Sequence, residues 1–163
     1  MTVLSAGIVL WRLASSASGT GVEVLLGHMG GPFWARKDDG AWSIPKGLPD
    51  AGESPIDAAC REFTEELGVP LPPGELIELG EFRQSAKKTM AAWALELPAD
   101  QMLDIEEILS NTFEMEWPPK SGRHQAFPEI DRADWFDLDT AQRKVVTGQA
   151  AVFDLLQHAI EAD

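Results

Sequence analysis

The chain carries one cysteine, no tyrosine, and only 13 basic side chains against 27 acidic ones in 163 residues. A lone Cys60 can form neither an internal disulfide nor a cysteine-rich zinc cluster. That excludes a disulfide-stapled secreted scaffold and makes a reducing, cytoplasmic setting the expectation. The formal charge of −14 repels polyanions, which bind proteins mainly through Lys and Arg, so a DNA or RNA polymer is not an expected partner. No apolar run reaches the ~18 residues of a spanning helix, and MTVLSAGIVLWR lacks the basic-then-apolar layout of a secretory signal. A soluble protein with no membrane association is therefore expected. What is present is 44% hydrophobic content over a length that suits one domain, 1–163. A chain of this size buries enough surface to fold without staples. Nothing in the sequence decides between a monomer and a homodimer.

Val3 to Leu13 and Val22 to Gly27 read as two strands joined through the small polar run Ser15 to Gly21. His28 to Gly40 (HMGGPFWARKDDG) changes to Gly, aromatic and charged residues and reads as an irregular loop of the length that often carries function. A short strand around Trp42 to Ile44 leads into PKGLPDAGE, whose prolines and glycines oppose regular structure. Leu76 to Gln84 and Thr89 to Leu97 read as two further strands. From Pro98 to Asp131 the pattern is mixed: DQMLDIEEIL has helical spacing, while FEMEWPPKSGRHQAFPEI is broken by prolines, so mostly loop is expected with a strand at Phe113 to Trp117. Asp134 to Leu138 reads as a last strand, and Thr140 to Thr147 and Gln149 to Glu161 as closing helices.

The best-signalled element is a helix with Ser54 as N-cap, Pro55 in its first position, Asp57 in the capping-box place and Gly68 just past its end. At about 100° per residue, Ile56, Ala59, Cys60, Phe63 and Leu67 form one apolar stripe. Cys60 on that stripe is expected to be a structural thiol rather than a reactive one. Glu62, Glu65 and Glu66 crowd a different face, at the helix end where the macrodipole disfavours negative charge; each penalty is about 0.3–1 kcal/mol. Two readings stay open from spacing alone: a solvated acidic face, or oxygen ligands for a hard divalent cation that also engages substrate phosphate. On the second reading, the acidic edge is tolerable because cations sit against it.

The run from Gly47 through Glu53 to Arg61-Glu62-Phe63-Thr64-Glu65-Glu66-Leu67-Gly68-Val69 resembles the Nudix box, Gly-x5-Glu-x7-Arg-Glu-U-x-Glu-Glu-x-Gly-U with U an apolar residue. All nine defined positions over 23 residues agree. The resemblance implies an α/β Nudix fold, a mixed β-sheet sandwiched between α-helices. It also implies hydrolysis of a nucleoside diphosphate-linked substrate by water attack on phosphorus with Mg²⁺ or Mn²⁺. Carried over by position, Glu62, Glu65 and Glu66 are metal-ligand candidates, joined by the carbonyl of Gly47, while Glu53 and Arg61 brace the box. The catalytic base is Glu62 or Glu65 of the box, or Glu114 or Glu116 reaching in from the later segment.

On the substrate side, Lys46, Lys120 and Arg123 are the phosphate-binding candidates, with His28 and His124 as further donors. Trp34, Trp42 or Trp117 can stack on a base, whereas Trp93 alternates within a strand and is expected in the core. The tyrosine that marks one diadenosine-polyphosphate branch is absent, as are the ADP-ribose-type proline and the NADH-type signature. WSIPKG and the later EWPP run are similar to bacterial members that act on polyphosphates. A dinucleoside polyphosphate or nucleoside triphosphate is the expected substrate; the alternative is a nucleotide-binding sensor without turnover on the same scaffold.

Overall fold

A computed structural model describes residues 2–14, 21–106 and 108–162. Strands β1 (Val3–Leu13) and β2 (Val22–Met29) pair antiparallel through Trp11–Val24 and Leu13–Val22. The connection expected at Ser15 to Gly21 falls, at 15–20, outside the described residues. β2 runs two residues further than the composition change at His28 indicated, because His28 and Met29 pair with Arg132 and Ile130.

Away from that hairpin the two strands part company. β1 pairs with β4 (Lys46–Gly47) through Gly7 and Ala6, and β2 pairs with β3 (Trp42–Ser43) through His28 and Gly27. Residues 42–47 thus fill the fork between β1 and β2, and a two-residue strand forms inside the stretch whose prolines and glycines argued against one. Gln149, fully buried, locks this fork: its Oε1 accepts from Ile44 N–H at 3.1 Å and its Nε2 donates to Ser43 Oγ at 2.9 Å. Lys46 and Gly47 follow at once, so this lock sets where they enter the fork.

β1 continues the sheet in parallel with β6 (Lys88–Glu96), and β5 (Ile77–Ser85) forms the edge antiparallel to β6. β9 (Ile130–Asp137) lines the other side of β2. Among the described residues this gives a seven-stranded mixed sheet, with a separate two-stranded hairpin of β7 (Thr112–Glu116) and β8 (His124–Pro128).

Period-two alternation along β1 divides the core into two layers. Ala6, Ile8 and Leu10 pack with Phe63 and Leu67 of α1 (Pro55–Leu67). Val9 packs on the opposite face with α2 (Leu138–Lys144) and α3 (Ala151–Glu161) through Val152, Phe153 and Leu156. The sheet is sandwiched between helices, as the family resemblance implied. Burying Phe63 and Leu67 fully contributes about 1.5–3 kcal/mol each, which anchors the inner face of α1 and leaves Glu62 and Glu66 turned toward β4. Cys60 is half-buried in that layer, and burial pushes its thiol pKa up, as suits a structural role. Trp93 also packs partly buried against this layer.

The segment from Pro98 to Asp131 departs most from its sequence pattern. DQMLDIEEIL forms no helix in its described residues; Leu103, Ile105 and Ile108 lie against the α1 layer as an irregular strap. The strap satisfies the exposed end of α1, with Leu109 N–H on Leu67 O at 3.1 Å and Asn111 N–H on Glu65 O at 2.8 Å. Those tertiary bonds replace an i→i−4 ladder. The strand expected at Phe113 to Trp117 is present, but its partner β8 and the early start of β9 at Ile130 were hidden by prolines.

Candidate active site

Ser54 Oγ accepts the Asp57 N–H at 3.3 Å, and Gly68, in the left-handed conformation at φ 71°, ends α1 with its N–H on Thr64 O at 2.7 Å. The last turn has no basic side chain. Its carbonyls instead receive N–H groups from Gly68, Leu109 and Asn111, which offsets the unfavourable helix end without any ion.

The acidic face is neutralised in part by Arg61. Its Nε and Nη2 donate to Glu53 at 2.9 and 2.8 Å, its Nη1 donates to Glu62 at 3.0 Å and Glu65 at 2.9 Å, and Nη2 also reaches Leu48 O at 3.0 Å. Glu53 Oε1 accepts the Asp50 N–H as well, and with the Arg61 guanidinium this holds the Glu53 carboxyl down to about 2. Glu53 and Arg61 are thus joined by two hydrogen bonds, and Arg61 grips two ligand candidates too. Arg61 and the strap relieve part of the crowding on this edge within the chain.

Glu66 lies differently. One oxygen accepts the Lys46 backbone N–H at 3.0 Å, and burial pushes its pKa up to about 8. Burial also raises Glu62, while burial lowers the ammonium of Lys46, which feels Glu66, Glu62 and Glu129 together. These groups line one cavity of about 340 Å³ with Gly47 and Asn111. A Cβ at Gly47 would overlap the Glu62 carboxylate and force it to move.

Glu129 was missed from sequence. It is placed by its own N–H on Asn111 O at 2.9 Å and its carbonyl receiving Gly30 N–H at 2.9 Å, so the strap that caps α1 also sets this carboxylate beside Glu62 and Glu66. Its only sequence signal was an acidic residue just ahead of a β-strand rich in aromatic and aliphatic residues.

Other expected residues lie elsewhere. Glu65 stands at the edge, turned to Arg61. Glu114 and Glu116 are exposed on β7, opposite the Phe113–Met115 face, and Glu116 accepts the Lys120 N–H at 2.8 Å in the hairpin turn. Neither lines the cavity. Lys120 and Arg123 occupy that turn, exposed. Trp34 packs partly buried against the α2/α3 layer with Lys37 Nζ 5.2 Å from its ring centre. His28, expected as a phosphate donor, is corrected: it is fully buried, and its ring nitrogens are engaged by Asp131 Oδ1 at 2.9 Å and Lys37 O at 2.7 Å.

Among the described residues no three His, Cys, Asp or Glu side chains are gathered closely enough to enclose an ion. The donor chemistry of the cavity still fits a hard divalent cation. It offers carboxylate oxygens on Glu62, Glu66 and Glu129, with the small Gly47 backbone against them, and their mutual repulsion and burial leave negative charge to be satisfied.

A family model described as NUDIX domain matches residues 2–156. The chain is a Nudix domain. Curated relatives include an 8-oxo-(d)GTP phosphatase of Mycolicibacterium smegmatis, 47% identical over 41% of this chain and 20% of that protein. An RNA pyrophosphohydrolase of Halorhodospira halophila is 30% identical over 64% of this chain and 58% of that protein. The chain thus spans less than two thirds of these relatives. In three dimensions this Nudix domain is similar to an Ap4A hydrolase of C. elegans in a binary complex. That likeness has TM-score 0.66 and 19% identity, and covers 99% of this chain and 100% of that one. The NUDIX domain of Shewanella oneidensis NrtR complexed with ADP ribose is also similar, at TM-score 0.64 and 15% identity, over 98% of this chain and 89% of that one. At these identities the structural likeness establishes the fold. No helix among the described residues is long and apolar enough to cross a membrane.

Proposed function

We propose that this Nudix domain is a pyrophosphohydrolase that cleaves a phosphoanhydride in a dinucleoside polyphosphate or nucleoside triphosphate, using water and Mg²⁺ or Mn²⁺. The observation that carries the reading is the convergence of Glu62, Glu66 and Glu129 with Lys46 in one cavity next to Gly47. Nudix enzymes generally work with divalent metal ions, and here Glu62, Glu66, Glu129 and the Gly47 backbone would hold one. When bound, such an ion neutralises diphosphate charge and acidifies water.

The chain's own groups do the rest. A carboxylate, Glu129 or Glu62, accepts a proton as the water oxygen bonds to phosphorus. Burial makes Glu62 a stronger base than an exposed carboxylate. The bridging P–O bond breaks and the released phosphate keeps the electron pair. Lys46, desolvated beside the carboxylates, supplies positive charge to the departing oxygens. Glu53 and Arg61 keep the loop that carries Gly47 and Leu48 in register with α1.

Incubation with a nucleotide panel and Mg²⁺ or Mn²⁺ in oxygen-18 water tests this, since the label reports the attacked phosphorus. Glu66→Gln is expected to fold and to lose roughly 10²-fold or more in turnover, with Glu65→Gln also reduced. A folded wild-type protein that cleaves nothing in the panel defeats the proposal; nucleotide binding without product would make the domain a sensor.

A further inference from the structure

Glu129 is a cavity carboxylate that no regular element carries. β8 ends at Pro128 and β9 begins at Ile130, so Glu129 is the single residue between a strand of the hairpin and a strand of the main sheet. A ladder fixes the direction of a strand by repeated bonds to one neighbour, and at a one-residue joint the chain changes neighbours and those bonds lapse. The orientation of the joint then depends on whichever groups take up its N–H and C=O.

Three bonds do so. Glu129 N–H donates to Asn111 O at 2.9 Å, and Glu129 O accepts from Gly30 N–H at 2.9 Å. Ile130 N–H donates to Ser110 Oγ at 3.1 Å. Ser110 Oγ in turn donates to Asn111 O at 2.8 Å, the same oxygen that receives Glu129 N–H. One hydroxyl thus serves both sides of the joint: it accepts from the residue after Glu129 and orients the acceptor of Glu129 itself. Among these bonds it is the one group supplied by a side chain.

The clamp is also tied to the helix that carries the other carboxylates. On either side of Ser110, Leu109 N–H donates to Leu67 O at 3.1 Å and Asn111 N–H to Glu65 O at 2.8 Å. Gly30 closes the far side, where a Cβ would collide with the Pro128 carbonyl. Glu129 shares the cavity with Glu62 and Glu66, whereas Ser110, half-buried, stands outside its lining.

We propose that Ser110 is a positioning residue for the reaction, its hydroxyl setting where the Glu129 carboxylate stands relative to Glu62 and Glu66. The proposal deepens the pyrophosphohydrolase reading and rests on Glu129 acting in the cavity. A carboxylate that must meet a reacting water or an ion tolerates little error, since misplacement by about 1 Å costs on the order of 10²-fold. Ser110→Ala takes the acceptor from Ile130 N–H and the donor from Asn111 O, and leaves every side chain of the cavity in place.

A double-mutant cycle of Ser110→Ala with Glu129→Gln tests this, with Ser110→Thr as the variant that keeps the hydroxyl. Ser110→Ala is expected to fold, to exchange the Ile130 amide proton faster, and to lower kcat roughly tenfold with little change in KM, and Ser110→Thr restores most of the loss. In the Glu129→Gln background the same substitution removes nothing further, because the group it positions is gone. Equal losses in both backgrounds, or wild-type kcat in Ser110→Ala, overturn the proposal. Wild-type kcat in Glu129→Gln overturns it too, and leaves hydrolysis by other groups standing. Should the folded wild type cleave no nucleotide, the hydrolase reading fails, and Mn²⁺ titration followed by electron paramagnetic resonance decides the clamp separately. Weaker Mn²⁺ binding in Ser110→Ala only where Glu129 is present sustains it, and any other pattern refutes it.

Discussion

Glu66 shows how one carboxylate couples the site to folding. Its pKa is raised from the ordinary 4.5 to about 8, mainly by burial, so the folded state prefers the neutral form. Stability from this group is fully present below about pH 4.5 and is lost as pH rises through about 8. Metal-free protein should therefore melt at progressively lower temperature over that window, and Mg²⁺ should reverse the decline, because binding requires the ionised carboxylate. Melting curves across pH with EDTA and with Mg²⁺ measure both effects; a flat EDTA profile refutes the assignment. Glu53 acts with the opposite sign, since its depressed pKa contributes stability above 4.5 that disappears toward about pH 2. Glu129 carries the second prediction at this scale. Glu129→Gln should lower kcat by roughly 10²-fold or more, whereas Glu114→Gln and Glu116→Gln leave it unchanged, because of these three Glu129 alone lines the cavity. Box residues were legible because fixed spacing on one helix makes them neighbours. Glu129 was not, since its position depends on Asn111 and Gly30, 18 and 99 residues back in the chain. His28 was misread for a related reason: Asp131, its partner, lies 103 residues away.

At the level of elements, α1 was readable nearly to the residue, because its capping residues and apolar stripe act locally. The strap and hairpin were not, because their order comes from long-range bonds that no periodicity records. DQMLDIEEIL has helical spacing, yet it serves α1 better by placing Leu109 and Asn111 on that helix's open carbonyls. The opening hairpin and the β5 and β6 strands were recoverable from apolar patterning, whereas the fork filled by residues 42–47 was not. Arg61 ties helix to loop: its bonds to Glu53, Glu62, Glu65 and Leu48 O join the turn before α1 to the acidic face. Arg61→Ala should cost about 1–3 kcal/mol by chemical denaturation, as several charge-assisted hydrogen bonds vanish and four carboxylates lose their cation. Arg61→Lys should recover little of it, since an ammonium cannot reproduce the forked contacts. Full stability in either variant would remove Arg61 from its bracing role.

Across the whole molecule, the −14 charge bears on which phosphate compounds reach the cavity. Curated relatives include RNA pyrophosphohydrolases, whose name implies a long polyanion as substrate. A polynucleotide trailing from the cavity would run over an acidic surface, whereas a free nucleotide carries few charges and is covered by its own magnesium. Repulsion between exposed charges extends over about 30 Å at 0.01 M salt and about 8 Å at 0.15 M, so the penalty on RNA is greatest in dilute buffer. A 5′-triphosphorylated RNA should thus be a poorer substrate than the matching nucleoside triphosphate, by roughly tenfold or more in kcat/KM at low salt. The gap should narrow as potassium chloride is raised, which is opposite to the salt response of proteins that bind nucleic acid through Lys and Arg. Competition between the two substrates at several salt concentrations separates the cases: RNA preferred, with preference weakening as salt rises, would mean that a basic track for the polymer outweighs the acidic field.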